Sequence, residues 1–151
     1  RGGLFLAGVV MAAAIALHNL PEGMVIGASY AADLAEAGQD GRMMALVIGL
    51  HNIPEGMAVA VPLAAGGASR GRAVLTTAAA GAPTVLGAVL GFCLGTMGPG
   101  LQMLTLGGAS GAMLYVVFGE LLPESFRLCR SPAPVMAAVL GVLTGMGVVL
   151  G

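Results

Sequence analysis

The sequence predicts an all-α fold: a polytopic membrane helix bundle with five transmembrane helices, forming a single transmembrane domain over 1–151. Hydrophobic residues make up 58% of the chain, charged residues 9%, and mean hydropathy is +0.97. A water-soluble domain carries about 25% charged residues to cover its surface, so this exterior suits lipid instead. Five apolar runs approach the ~20 residues a helix needs to cross ~30 Å of hydrocarbon. Strand-like alternation is absent, and a lone apolar segment in lipid satisfies its backbone internally only as a helix.

The runs cover about Leu4–Ser29, Met43–Ala65, Ala73–Gly95, Leu101–Leu122 and Pro134–Gly151. Arg1 precedes the first, Arg70 and Arg72 separate the second from the third, and Arg127 and Arg130 separate the fourth from the fifth. In a five-helix chain these three places share one side. The other side receives Asp33, Glu36, Asp40 and Arg42, with the uncharged turn near Met97–Gly100. Arginine bias marks the cytoplasmic side, so the first helix is expected to start there. The chain begins at Arg1 with no initiator Met or signal peptide, which reads as a portion of something longer.

Small residues recur at four-residue spacing: Gly87, Gly91 and Gly95 in the third run, Gly107 and Gly111 in the fourth, Gly141 and Gly145 in the fifth. Such ridges let helix backbones approach closely. The ridge of the third run reads as packing. The ten methionines form no stripe and read as gap-fillers. Cys93 and Cys129 are too few and too far apart for a disulfide framework or a thiolate metal site, and read as small core residues. With net charge −1 and no lysine, nothing resembles a nucleic-acid footprint, so no nucleic-acid partner is expected.

One hexapeptide, His-Asn-x-Pro-Glu-Gly, occurs twice: His18-Asn19-Leu20-Pro21-Glu22-Gly23 and, 33 residues on, His51-Asn52-Ile53-Pro54-Glu55-Gly56. The two copies hold both histidines of the chain. An ionisable group at mid-membrane costs about 2.5–3.5 kcal/mol or more, so such a group marks a site. Within each copy His and Glu lie four apart, on one helix face. On antiparallel helices the copies can be related by an approximate two-fold axis, turning His18, Glu22, His51 and Glu55 towards one centre. Two imidazoles and two carboxylates suit a divalent first-row metal, zinc above all, while calcium prefers six to eight oxygens. Ligand type alone leaves iron, manganese, cobalt and cadmium open. Pro21 and Pro54 lack an N–H and free the carbonyls of Leu17 and Leu50, Gly23 and Gly56 would leave room beside each carboxylate, and Asn19 and Asn52 could bind a second ion or orient the first ligands.

These motifs closely resemble those of the ZIP (Zrt/Irt-like) divalent-metal transporters, in particular their bacterial GufA-like branch. HNLPEG and HNIPEG look like the metal-site motifs of that family's fourth and fifth helices, and Ala109–Ser125 is similar to its seventh. The resemblance covers essentially the whole chain, as helices four to eight, and implies that three helices precede it. It implies a transporter, not an enzyme, moving Zn²⁺, or Fe²⁺, Mn²⁺ or Cd²⁺, into the cytoplasm through a midplane site by alternating access. The protein would sit in a bacterial inner (plasma) membrane, with the divalent ion and the lipid bilayer as its partners and no catalytic cofactor; a homodimer is left open. A first metal position would fall on His18, Glu22, His51 and Glu55. A second would use Asn19 and Asn52 with both glutamates bridging, and Glu120 would be an exit ligand. Thr84 stands where many members carry a glutamate. A neutral hydroxyl adds no charge, so the second position is expected to be weak or empty.

Two other classes compete. An intramembrane metalloenzyme, a di-metal hydrolase or oxidase, would need an open coordination site; a di-iron centre would show Glu-x-x-His pairs, and neither these nor HExxH occurs. A metal sensor would bind without transport.

Overall fold

The structure, a computed structural model, describes residues 2–150, and the side chains of all of these except 116, 120, 121, 124, 128 and 148–150. The elements are α1 (Gly2–Glu36), α2 (Asp40–Ala65), α3 (Arg70–Thr96), α4 (Pro99–Val116), a π-helical turn (Val117–Leu121), α5 (Leu122–Leu128) and α6 (Ala133–Leu150). Among the described residues there is no strand. Four helical stretches are long and apolar enough to cross a membrane, Gly2–Glu36, Asp40–Ala65, Arg70–Thr96 and Pro99–Gly119, and the apolar helix Ala133–Gly147 is shorter. The all-α membrane bundle is thus the observed fold class.

The chain divides into two compact units, Arg1–Met113 and Leu114–Gly151. In the second, α5 packs on the π-helical turn and on α6. The first unit holds α1, α2 and α3, which carry the repeated motif and its surroundings.

Asp33 and Glu36, expected in a connecting loop, lie instead in the last turns of α1, which runs on to Glu36. The extension has a local cause. Asp33 Oδ1 accepts the Asp40 N–H and Oδ2 accepts the Gly41 N–H, both at 2.9 Å, so a carboxylate at the end of one helix caps the start of the next. Three residues then suffice to reverse the chain, with Ala37 in the left-handed region at φ 54°. At the other end of α2, Gly67 (φ 98°) ends the helix and Ser69 Oγ accepts the Arg72 N–H at 3.4 Å to start α3.

Helices α1 and α2 are antiparallel. A Cβ on Gly66 would fall on the Phe5 backbone, one on Gly8 would sit 2.7 Å from Leu63 Cγ, and one on Gly41 would sit 2.9 Å from Tyr30 Cα. Helices α1 and α3 are parallel and closer still. A Cβ on Gly23 or Gly27 would fall on the carbonyl oxygens of Thr84 and Ala88, and one on Gly87 or Gly91 on those of Leu20 and Met24. The expected ridge of α3 therefore packs, and α1 answers it with a ridge of its own. This corrects the role expected for Gly23: it leaves no room beside Glu22 but forms the α1–α3 seam. Gly107, Gly111, Gly141 and Gly145 are different, since a Cβ on any of them meets nothing within 4 Å among the described residues.

Polarity is inverted relative to a soluble protein. Leu17, Leu34, Leu75 and Met103 are more than 70% exposed, whereas Leu63, Glu22 and Val59 are the largest fully buried side chains. An apolar outside around a polar inside is what lipid requires. Cys93 and Cys129, expected in the core, are both exposed. Cys93 lies within α3, where a thiol facing lipid has no reason to be hidden, and Cys129 lies in the connection between α5 and α6.

Candidate metal centre

The helical assignment runs unbroken through Pro21 in α1 and through Pro54 in α2. Each motif thus keeps its i, i+4 pairing, and the antiparallel hairpin sets the pairs against each other. His18 Nε2 lies 3.1 Å from Glu22 Oε1 and 3.5 Å from Glu55 Oε1; His51 Nε2 lies 3.1 Å from Glu22 Oε1 and 3.3 Å from Glu55 Oε1. One ligand atom from each residue lies within 4.8 Å of all the others. The imidazole rings are tilted 52° to one another with centroids 6.2 Å apart.

These separations have a chemical meaning. Nitrogen and oxygen ligands about 2.0–2.1 Å from a tetrahedral zinc lie about 3.3–3.4 Å from one another. Four of the six edges of such a set, the His–Glu ones at 3.1 to 3.5 Å, bracket that value. Glu22 Oε1 is buried and stands 3.1 Å from two imidazole nitrogens, yet makes a hydrogen bond with neither. Atoms aimed past one another, towards a shared point, give that combination. The set can hold one divalent cation, whose charge two carboxylates and two neutral imidazoles would balance. An uncompensated Glu22, fully buried in an apolar span, would cost several kcal/mol.

The two asparagines are held differently. Asn19 Nδ2 donates to the Ala80 carbonyl of α3 at 2.9 Å, and Asn19 Oδ1 is buried without a hydrogen-bond partner among the described residues. One end of the Asn52 side-chain amide lies 3.1 Å from Glu22 Oε2 and 3.2 Å from the Ile48 carbonyl. The Thr84 hydroxyl is buried without a hydrogen-bond partner among the described residues, while its carbonyl packs on Gly23. Glu120 falls in the π-helical turn, and its side chain lies outside the described residues.

Beside the four donors lies a cavity of about 80 Å³, bordered by Ile15, Asn19, Asn52, Glu55, Val59 and Thr77. Ile15 precedes His18 in α1, Val59 follows Glu55 in α2, and Thr77 lies near the start of α3. All three are displaced from the motifs towards the helix ends next to Arg70 and Arg72. Sequence reasoning passed over them, although Ile15 and Val59 stand one helical turn from a motif residue and that spacing could have found them. No sequence signal points to the Ala80 carbonyl, since any residue there would supply it.

Residues 2–151 match the family described as "ZIP Zinc transporter". A curated relative, "Zinc transporter GufA" of Myxococcus xanthus, is 40% identical over 114 residues, a match that covers 76% of this chain and 44% of the relative. The match thus spans less than half the length of that relative. No solved structure matches it. The duplicated motif, the helical hairpin that brings both copies together and the match along the whole chain agree: this chain belongs to the ZIP zinc transporter family.

Proposed function

We propose that this chain forms the ion-binding part of a divalent-metal transporter that moves Zn²⁺ into the cytoplasm across a bacterial plasma membrane. Its transport site is His18, Glu22, His51 and Glu55. The observation that carries this reading is the position of Glu22 Oε1, buried 3.1 Å from Nε2 of both histidines with a hydrogen bond to neither. The ion is cargo and no bond in it is made or broken, so the site's task is to replace its hydration and release it on the other side.

The direction rests on two features that agree. Five of six arginines fall at the ends assigned to the cytoplasm, and the cavity beside the site extends towards those ends. Release would then follow the path past Asn19, Asn52 and Thr77, with Glu120 as a later ligand. Alternating access would open the site to each side in turn. A single ion is favoured over a pair. Asn19, Asn52 and Thr84 add dipoles but no charge, so Glu22 and Glu55 alone would face four positive charges.

Membership of a transporter family favours transport over an intramembrane metalloenzyme. The test is uptake of radioactive zinc by proteoliposomes containing the purified protein, with Fe²⁺, Mn²⁺ and Cd²⁺ as competitors. Saturable uptake that is lost in Glu22→Ala supports the proposal. Tight zinc binding with no uptake would assign the protein to the sensor class instead.

A further inference from the structure

Besides Glu22, the largest fully buried side chains are Val59 and Leu63, which follow Glu55 by one and two turns of α2. They form one apolar cluster with Ala12 of α1 and with Ala73 and Ala80 of α3, and Ile15 packs against it. Gly8 makes room for this packing, since a Cβ there would stand 2.7 Å from Leu63 Cγ. Most of the cluster lies between the motifs and the helix ends next to Arg70 and Arg72.

The cavity beside the metal site runs up against this cluster. Asn19, Asn52 and Glu55 border it at the level of the motifs, whereas Ile15 and Val59, one turn on, present only carbon. Thr77 is the fourth polar side chain of the lining, and its hydroxyl donates to the Ala73 carbonyl at 2.8 Å. Its oxygen lone pairs stay available, and beyond them Leu63 and Ala73 continue the apolar packing.

We infer that Ile15, Val59 and Leu63 form an apolar gate, closed in this structure, and that Val59 sets the rate at which the ion leaves. This rests on the reading of His18, Glu22, His51 and Glu55 as a transport site that empties towards the arginine-bearing ends. An ion that has left four donors has to be met by water or by new ligands. A passage walled by methyl groups offers no ligand, and water withdraws from so narrow an apolar constriction, which blocks the ion until the constriction is wetted. One hydroxyl at the constriction should therefore ease passage, and loss of the Thr77 oxygen beside it should hinder passage.

The test compares wild type, Val59→Thr and Thr77→Val, each of which exchanges a methyl and a hydroxyl at nearly constant shape. Initial uptake of radioactive zinc is measured in proteoliposomes, and zinc affinity by isothermal titration of the purified protein in detergent. Val59→Thr should raise initial uptake by about 2–10-fold, the worth of one hydrogen bond, and Thr77→Val should lower it by a similar factor. Zinc affinity should stay at the wild-type value in both, because neither residue is among the four donors. Uptake by Val59→Thr should remain saturable and be lost when Glu22→Ala is added, which separates a wetted gate from a leak. A purely structural role for Val59 predicts the opposite sign, since a hydroxyl buried in a packed core lowers stability and uptake together. Unchanged or slower uptake in a Val59→Thr protein that binds zinc normally would overturn the proposal. Should Val59→Thr fail to fold, wild-type uptake by Thr77→Val overturns it instead. Zinc binding without uptake in the wild type removes the transport reading itself, and the gate with it.

Discussion

His51 Nε2 on α2 stands 3.1 Å from Glu22 Oε1 on α1, as close as His18 Nε2 comes to the same oxygen from within α1. Glu22 is thereby the shared corner of two His–Glu pairs, one inside a helix and one across the hairpin. Glu55 occupies the matching corner at longer range, 3.5 and 3.3 Å from the histidines, and keeps 16% of its side chain exposed where Glu22 keeps none. The duplicated motif therefore builds a site whose halves are chemically alike and physically unequal.

That inequality should appear in binding. Glu22→Ala is expected to weaken zinc binding by more than the roughly 100-fold upper limit typical of groups that only orient a ligand. Glu55→Ala should also weaken it, but less, since a more open corner can admit water as a substitute. Isothermal titration of both variants with Zn²⁺ compares them; equal losses would contradict the ranking.

The glycine seam gives a stability prediction with its own control. A Cβ on Gly23 would fall on the Thr84 carbonyl, so Gly23→Ala requires α1 and α3 to part. Overpacking of this kind costs about 1–3 kcal/mol. Gly107→Ala, where a Cβ meets nothing within 4 Å, should leave stability unchanged or slightly raised. Thermal melts followed by circular dichroism in one detergent measure both.

Asp33 caps α2 from the end of α1, accepting the Asp40 and Gly41 N–H groups. Asp33→Ala strands both donors and should cost about 0.5–2 kcal/mol, as the loss of a helix cap does elsewhere. Asp33→Asn keeps one acceptor oxygen and should lose less. The same melts rank the three proteins, and an unchanged Asp33→Ala would remove the cap as the reason α1 extends to Glu36.

The arginine pattern predicts sidedness. With Cys93 and Cys129 replaced by serine, a single cysteine at Ser69 should react with a membrane-impermeant maleimide only from the cytoplasmic side, and one at Gln39 only from the opposite side. Labelling of both from one side would refute the antiparallel α1–α2 hairpin as a membrane-spanning pair.

What was legible in the sequence is what depends on spacing within one helix. The i, i+4 placement of His18 with Glu22 and of His51 with Glu55 follows from helix geometry, and the ridge Gly87–Gly91–Gly95 from its four-residue period. What escaped depends on the neighbouring helix. Gly23 was read beside Glu22, its neighbour in sequence, yet its contact is the Thr84 carbonyl of α3. Asp33 looked like a loop residue because its partners, the Asp40 and Gly41 amides, belong to the following helix. The exposure of Cys93 in α3 escaped for another reason: burial preferences learned from proteins in water do not carry over to lipid.

Anomalous diffraction at the zinc edge on crystals loaded with Zn²⁺ tests the central claim most directly. The account predicts one ion, about 2.0–2.2 Å from His18 Nε2, His51 Nε2, Glu22 Oε1 and Glu55 Oε1. An ion bound elsewhere with these four residues unoccupied, or two fully occupied ions sharing the two glutamates, would contradict it.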